Sequence, residues 1–280
     1  MKILGIIAEY NPFHYGHLYH LKKAVEITQP DYTIAVMSGN FTQRGEAAIL
    51  DKWIRAEAAV RCGIDLVLEL PAVYAVQTAE IFAYGGIQLL NHTGLVTHVC
   101  FGSETGSLEP LMKIADILAE EDPEYKQLLK NHLLKGLSFP EARYHAVMDY
   151  IKSRNPRDEA EYNSPDVHKA LISSNSILGI EYLKALSKTN STIAPVTIPR
   201  IRSSYLSQRI KKGIASATAI RKEIFQNGMN DKVHGAVPEA VFQIMSDAFD
   251  RGMGPVDNQV LQDIILGIIR RSSPAEIAAW

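Results

Sequence analysis

The chain has 280 residues, of which 46% are hydrophobic and 21% are charged, and its formal net charge is −2. These values are ordinary for a globular protein and exclude a global basic field, so any binding of nucleic acid must use a local patch. The two cysteines, Cys62 and Cys100, are far apart and form no CxxC pair, so they indicate neither a disulfide framework nor a structural zinc site.

The first predicted element is an apolar segment, 2–10, that we interpret as a buried strand. It is too short to span a membrane and becomes polar too soon for a signal peptide, so we expect a cytoplasmic protein with no membrane partner. Four further segments, short and rich in β-branched residues, also predict buried strands: 32–39, 65–71, 98–104 and 194–200.

Helical patterns lie between the early strands, at 17–28 and 49–63. Strands that alternate with helices predict βαβ units and a parallel sheet, in which ligands bind at the carboxyl ends of the strands. From about 107 to 186 the strand pattern is absent, and helical patterns are separated by Pro and Gly, with a polar loop at 155–166. Because the strand at 194–200 follows, we interpret about 107–170 as a helical insertion in an α/β domain spanning 1–225. We expect 226–280 to be a helical extension.

Three histidines, His14, His17 and His20, follow the first strand within "EYNPFHYGHLYHL". Their spacing would place adjacent imidazoles on one helix face, as a metal ligand set requires. The sequence has no HExxH motif and offers only Glu9 as a nearby carboxylate, which counts against metal. A second interpretation is that some of them, His20 above all, are ordinary polar residues at a helix start.

A third interpretation, which we favour, is that this segment binds phosphate. Pro12 and Gly16 shape a turn between a strand and a helix, and a helix start presents unpaired N–H groups and partial positive charge. His14 and His17, one turn apart, can donate to phosphate oxygens as charge builds during a displacement. This role requires no protein-bound metal.

"HYGH" resembles the HIGH signature of the nucleotidyltransferase superfamily, which includes class I aminoacyl-tRNA synthetases and small adenylyltransferases. "IASATAIRK" (214–222) resembles the second motif of that superfamily. It offers the Ser216 and Thr218 hydroxyls and Arg221, which can hold a departing pyrophosphate. The alternative is a capped surface helix with no ligand. The two motifs together predict a Rossmann-like, HIGH-type nucleotidyltransferase domain.

Longer stretches carry a closer resemblance: "GIIAEYNPFHYGHLYHL", "MSGNFTQRGEAAILDKWIRAEAAVRCGIDLVLELP", "FGSE" and "SNSILGIEYLKAL". Together they resemble the bacterial tRNA(Met) cytidine acetate ligase family, from residue 1 to about 225. The resemblance implies that the chain activates acetate with ATP, accompanied by Mg²⁺, as acetyl-adenylate. It further implies transfer of the acetyl group to N4 of the wobble cytidine of elongator tRNA(Met).

The resemblance also implies an ATP site, with His14 and His17 as catalytic residues. Gly102 would admit the adenosine, Asn175 would contact the nucleotide, and Arg200 is the matching basic residue; a turn glycine and a helix cap are the alternatives for Gly102 and Asn175. The residues implied to bind ATP are Ile7, Ala8, Glu9, Tyr10, Asn11, Pro12, Phe13, His14, Tyr15, Gly16, His17, Leu18, Tyr19, His20, Gly102, Asn175, Arg200, Ser216, Thr218 and Arg221.

Two further groups of polar side chains, most of them cations, are candidates for binding acetate, triphosphate or tRNA backbone. One lies in "NFTQRGEAAILDKWIR": Gln43, Arg44, Lys52 and Arg55. For its last two members a solvated helix face is an equal alternative. The other is the basic segment 199–213, with a solvated loop as its alternative: Arg200, Arg202, Arg209, Lys211 and Lys212.

Members of the resembled family usually continue well beyond the position of Trp280, so we expect a chain shortened relative to the family. Acetyl-adenylate formation would survive that loss, whereas we expect weak binding and poor acetylation of tRNA(Met). Two other functions stay open at this point. One is a cofactor-type adenylyltransferase that joins AMP to a phosphate monoester, and the other is a non-catalytic nucleotide- or RNA-binding protein.

Overall fold

Five parallel strands form one sheet, and each coincides with a segment that the sequence predicts as a strand. The computed structural model describes residues 1–120, 122–154, 162, 165–200 and 215–279. The strands are β1 (Ile3–Ala8), β2 (Tyr32–Ser38), β3 (Leu66–Leu70), β4 (His98–Ser103) and β5 (Ala194–Pro199). Their order is β3-β2-β1-β4-β5, and all neighbouring pairs are parallel. The predicted α/β class is confirmed.

Helices cover both faces of this sheet. Those of the described residues, numbered in chain order, are α1 (Tyr15–Thr28), α2 (Lys52–Arg61), α3 (Ala72–Ala75), α4 (Ala79–His92), α5 (Leu108–Ala119), α6 (Pro123–Leu134), α7 (Phe139–Arg154), α8 (Pro165–Ile172), α9 (Ser174–Lys188), α10 (Ala217–Asn227), α11 (Asp231–Ala236), α12 (Glu239–Asp250), α13 (Asn258–Arg271) and α14 (Pro274–Ala278).

Successive strand residues point to opposite faces of the sheet and therefore build two cores. Ile3 joins the core that contains buried residues of α4, α5 and α9. Leu4, the next residue, joins the core that contains buried residues of α1, α2, α10 and α12. Because both faces are covered, the strands are apolar almost throughout, which is the pattern that made them recognisable in the sequence.

The segment predicted as a helical insertion packs into the first core. Leu111 of α5, Ala146 of α7 and Leu171 of α8 are all completely buried there. The limits of the insertion and of the 1–225 domain stay predictions, and the predicted loop at 155–166 lies mostly outside the described residues.

The predicted helical extension is helical in α11 to α14. Helices α11 and α12 pack against the second core through Val233, Val241 and Met245, whereas α13 buries none of its residues. Within the described ranges, no helix is long and apolar enough to cross a membrane.

The sheet topology creates a crevice between β1 and β4. The chain runs outward from β1 to β2 and β3 and then returns to place β4 on the other side of β1. At such a switch in strand order, the loops after the two strands diverge and leave room for a ligand. The segment 9–14 follows β1 and Glu104 follows β4, so the motifs found in the sequence lie at this crevice.

Candidate functional site

His14 and His17 start helix α1 by capping each other. His14 is the N-cap residue, and its Nδ1 accepts a hydrogen bond from the N–H of Gly16 at 3.0 Å. The N–H of His14 in turn donates to Nδ1 of His17 at 3.3 Å. The two rings stack with centroids 3.8 Å apart. This is a capping box in which imidazoles replace the usual hydroxyl and carboxylate.

The reciprocal caps determine which ring nitrogen carries the proton. An Nδ1 atom that accepts a hydrogen bond leaves the proton of a neutral imidazole on Nε2. Burial, with the charge of Arg200 as a second cause, lowers the pKa of His14 to about 4. Burial also holds the pKa of His17 well below its ordinary value, assisted by His14, His20 and Arg200. Both rings are therefore neutral at pH 7 and offer an Nε2–H donor to an anion.

Two aromatic side chains pack against the imidazole of His17. The rings of Tyr10 and Phe13 lie 5.0 and 5.6 Å from the imidazole of His17, measured between centroids. Both are almost completely buried, so these two members of the predicted ATP site pack in the core with their side chains. Their contribution is to hold the imidazole pair at the start of α1.

His20 lies one turn further along α1, against strand β4. Its Nε2 is 3.7 Å from Sγ of Cys100. Burial, with Arg200 as the second cause, lowers the pKa of His20 to about 4, so this ring is also neutral at pH 7. Within the described ranges, no group of three or more His, Cys, Asp or Glu side chains is arranged to hold a metal ion.

Arg200 and Gly102 lie at the carboxyl ends of β5 and β4, next to the histidines of α1. The N–H of Arg200 donates to the carbonyl of Ser103 at 2.9 Å. A Cβ atom at position 102 would lie 3.1 Å from Cγ of Arg200 and 3.9 Å from Cδ2 of His20. Glycine at this position therefore leaves room for the side-chain carbons of Arg200.

Asn175 connects Arg200 to a carboxylate that sequence reasoning missed. Its Nδ2 donates to Oε1 of Glu104 at 2.7 Å, and its Oδ1 accepts from the guanidinium of Arg200. Ser173, and not Asn175, is the N-cap residue of α9, so the capping alternative for Asn175 is wrong. The available signal for Glu104 was its position directly after β4, in "FGSE".

The second motif meets the first through Arg221. One guanidinium nitrogen of Arg221 donates to the carbonyl of Asn11 at 2.8 Å, and the other lies 3.7 Å from a carboxylate oxygen of Glu46. Ser216 caps helix α10 by accepting from the N–H of Ala219 at 3.2 Å, and Thr218 is exposed. The fold thus brings both motifs to one edge of the sheet, as the sequence predicts.

Arg55 does not lie on a solvated helix face, so that interpretation is wrong, and its buried guanidinium is bound by backbone carbonyls instead of being open to acetate, triphosphate or tRNA. Its side chain is 1% exposed, although other residues of α2 face solvent. Its guanidinium donates to the carbonyls of Leu50 (3.1 Å), Glu9 (2.5 Å), Ser38 (3.1 Å) and Gly39. It therefore ties the carboxyl ends of β1 and β2 together beneath the site.

The remaining predicted cations do not converge on the histidines in the described residues. Lys52 pairs with Glu69 at 2.5 Å, and Arg44 is exposed. The other members of the basic segment lie outside the described residues: Arg202, Arg209, Lys211 and Lys212.

Several known proteins are similar to this chain in sequence and in fold. The family model described as HIGH Nucleotidyl Transferase matches residues 1–280. The curated tRNA(Met) cytidine acetate ligase of Caldanaerobacter subterraneus subsp. tengcongensis is 50% identical over 276 residues, which make up 99% of this chain and 66% of that protein. That of Halothermothrix orenii is 45% identical over 280 residues, 100% of this chain and 65% of that protein.

A solved structure is also similar to this chain. The crystal structure of Thermotoga maritima TmcAL bound with alpha-thio ATP is similar at a TM-score of 0.78 and 45% identity, covering 91% of this chain and 58% of that chain. These matches confirm the resemblance found from the motifs. The chain spans 58% to 66% of the length of these three proteins.

Proposed function

Because the chain belongs to the HIGH nucleotidyl transferase family, we propose that it is an adenylate-forming enzyme that activates acetate with ATP. The acetyl group is then transferred to N4 of the wobble cytidine of elongator tRNA(Met), as the names of the curated relatives suggest. The observation that carries the proposal is the mutually capped pair of neutral imidazoles, His14 and His17, at the start of α1.

In the first half-reaction, an acetate oxygen attacks the α-phosphorus of ATP and pyrophosphate leaves. The chemistry adds negative charge to the non-bridging oxygens, and little proton transfer is required. The Nε2–H groups of His14 and His17 donate to these oxygens together with the free N–H groups at the start of α1. Ser216, Thr218 and Arg221 hold the departing pyrophosphate, since α10 begins beside the same loop.

Arg200 supplies a fixed positive charge on the other side of the pair. Its side chain lies over Gly102, and after burial its charge is the second cause of the low pKa of His14 and His20. Neutral histidines beside a permanent cation can donate hydrogen bonds to phosphate without giving up a proton. We therefore assign Arg200, Gly102 and Asn175 to the nucleotide, together with the segment Ile7–His20.

In the second half-reaction, the exocyclic amine of cytidine attacks the acetyl carbonyl, the bond from that carbon to the AMP oxygen breaks, and the amine releases one proton to water as AMP leaves. This amine is a poor nucleophile because its lone pair is delocalised into the ring, which explains the need for a mixed anhydride as acyl donor.

Mg²⁺ accompanies the triphosphate through phosphate oxygens and water, as is usual for this ion. We place the reaction in the cytoplasm, where tRNA, ATP and acetate are together.

The decisive experiment is mass spectrometry of elongator tRNA(Met) after incubation with this chain, ATP and acetate. Acetylation of the wobble cytidine is the expected product, and omission of ATP should abolish it. ATP–pyrophosphate exchange with acetate, run in parallel, reports the first half-reaction alone. Exchange that responds to a phosphate monoester such as a pantetheine phosphate, and not to acetate, would contradict the proposed substrate.

A further inference from the structure

Glu104 uses both carboxylate oxygens to join the end of β4 to the start of α9. Oε1 accepts from Nδ2 of Asn175 at 2.7 Å, and Oε2 accepts from the N–H and the hydroxyl of Ser176, each at 2.8 Å. The N–H of Glu104 donates back to the Ser176 hydroxyl at 3.1 Å. Burial by itself raises the pKa of Glu104, but the hydrogen bonds from Asn175 and Ser176 hold it below its ordinary value, so the group is ionised.

These contacts determine which way the Asn175 amide faces. Its Nδ2 is committed to Glu104, so its oxygen is directed to the opposite side. There it accepts a hydrogen bond from the guanidinium of Arg200. A flipped amide would present N–H groups to a guanidinium that can only donate, and an oxygen to a carboxylate that can only accept. The three side chains therefore form a relay with a single favourable arrangement.

We propose that Glu104 is a positioning residue for Arg200: through Asn175 it holds the guanidinium near His14 and His20, while the side-chain carbons of Arg200 lie over Gly102. The purpose assigned to that position rests on the proposed function, whereas the relay itself belongs to the free protein. Arg200 has a long side chain at the end of a strand, so without a partner it would sample several rotamers. The relay removes that freedom before a nucleotide binds.

A glutamine at position 104 cannot replace the carboxylate. If its oxygen faced the N–H and hydroxyl of Ser176, its amide nitrogen would face Nδ2 of Asn175, donor against donor. If its oxygen faced Asn175, the N–H of Ser176 would lose its acceptor. In the first arrangement Asn175 must flip and release Arg200, and in the second the start of α9 must shift.

The neighbouring histidines report where the guanidinium is. The positive charge of Arg200 is a cause, second to burial, of the low pKa of His14 and His20. It also contributes at His17, whose pKa is lowered first by burial and then by its titratable neighbours His14 and His20. If Arg200 moves away, the pKa of His14 and His20 should rise by about 1, the scale of a nearby unit charge.

The test is an NMR measurement of histidine protonation in the ligand-free chain at pH 5. An imidazole with a pKa near 4 is about one tenth protonated at this pH, and one with a pKa near 5 is about half protonated. We expect Glu104→Gln and Arg200→Ala each to raise the protonated fraction of His14 and His20 about fivefold. The double variant should equal Arg200→Ala alone, because Glu104 acts through that residue.

Ser176→Ala is the matched control, because it removes a hydrogen bond from the other oxygen of Glu104 and leaves the Asn175 contact. It should leave the histidines at wild-type protonation. If Glu104→Gln does not fold, Asn175→Ala breaks the same relay and should give the same increase. Wild-type protonation in both relay variants would overturn the proposal, as would equal changes in Ser176→Ala. If the wild-type chain does not acetylate tRNA(Met), but the relay variants still raise the protonated fraction of His14 and His20, only the proposed function is contradicted.

Discussion

Replacing Arg55 by methionine should strongly destabilise the fold, since it removes a buried guanidinium that serves four backbone carbonyls. These are the carbonyls of Leu50, Glu9, Ser38 and Gly39. Burial lowers the pKa of Arg55 to about 10, with nearby carboxylates opposing the change, so the side chain is charged at pH 7. Methionine fills a similar volume but offers no donor.

The magnitude follows from the number of acceptors left without a partner. A hydrogen bond from a charged group contributes about 1.5–3 kcal/mol, but desolvation of the guanidinium offsets part of the sum over four. We expect a loss of about 3–5 kcal/mol in the free energy of unfolding, equivalent to a fall in Tm of about 5–8 °C for a chain of this length. Arg55→Lys keeps the charge but cannot reach all four carbonyls, so we expect an intermediate loss of about 2 kcal/mol.

The assay is urea unfolding of the three chains, compared with Arg61→Met as the control. Arg61 lies on the same helix, but its side chain is 65% exposed and pairs with Glu57 at 3.4 Å. Its replacement should cost less than about 0.5 kcal/mol. Equal destabilisation by Arg55→Met and Arg61→Met would refute the structural role assigned to the buried guanidinium.

Three further predictions concern the histidines and the metal ion. His14→Asn should lower acetate-dependent ATP–pyrophosphate exchange about 10²–10³-fold while preserving the melting temperature, because asparagine still caps α1 but lacks the Nε2–H donor; unchanged exchange would contradict the HIGH assignment. The pKa of His14 is about 4 in the folded chain and near 6.5 in the unfolded chain, so the unfolded chain binds more protons between these two pH values. The stability that this ring contributes above pH 6.5 is therefore lost as the pH falls toward 4. His14→Asn should therefore remove about 2 kcal/mol of the stability difference between pH 7 and pH 5, and an unchanged urea-unfolding profile would argue against a buried neutral ring. Removal of Mg²⁺ should abolish exchange and a zinc-specific chelator should leave it intact, and the opposite pattern would revive a three-histidine metal site.

The sheet and the first motif could be predicted because their signals are local. A buried parallel strand is a short apolar run, and all five such runs became strands. The helix start at "HYGH" was also local, since His14 caps its own helix through contacts two and three residues away. Helix α4 was not predicted, although Glu80, Tyr84, Gln88 and His92 form a polar stripe at helical spacing, because the adjacent glycines Gly85 and Gly86 are poor helix formers.

The relay at the site could not be predicted in the same way. Gly102, Asn175 and Arg200 were named from a resemblance, but their meeting depends on β4 and β5 ending, and α9 beginning, at one edge of the sheet. Glu104 was missed because its partners, Asn175 and Ser176, are about seventy residues further along the chain. No pattern in the sequence says which acceptor faces which donor over that separation.

The sequence by itself determined the α/β class, the parallel strands and the two motifs, because hydrophobic period and helix capping act between near neighbours. Only the tertiary structure decided which charges are buried. Arg55 and Arg61 belong to the same amphipathic helix, and in the sequence both read as cations on it. The difference comes from the carbonyls of Glu9, Ser38 and Gly39, which the ends of β1 and β2 present to Arg55. A charged side chain can be buried only where the fold supplies such partners, and that supply is a property of packing.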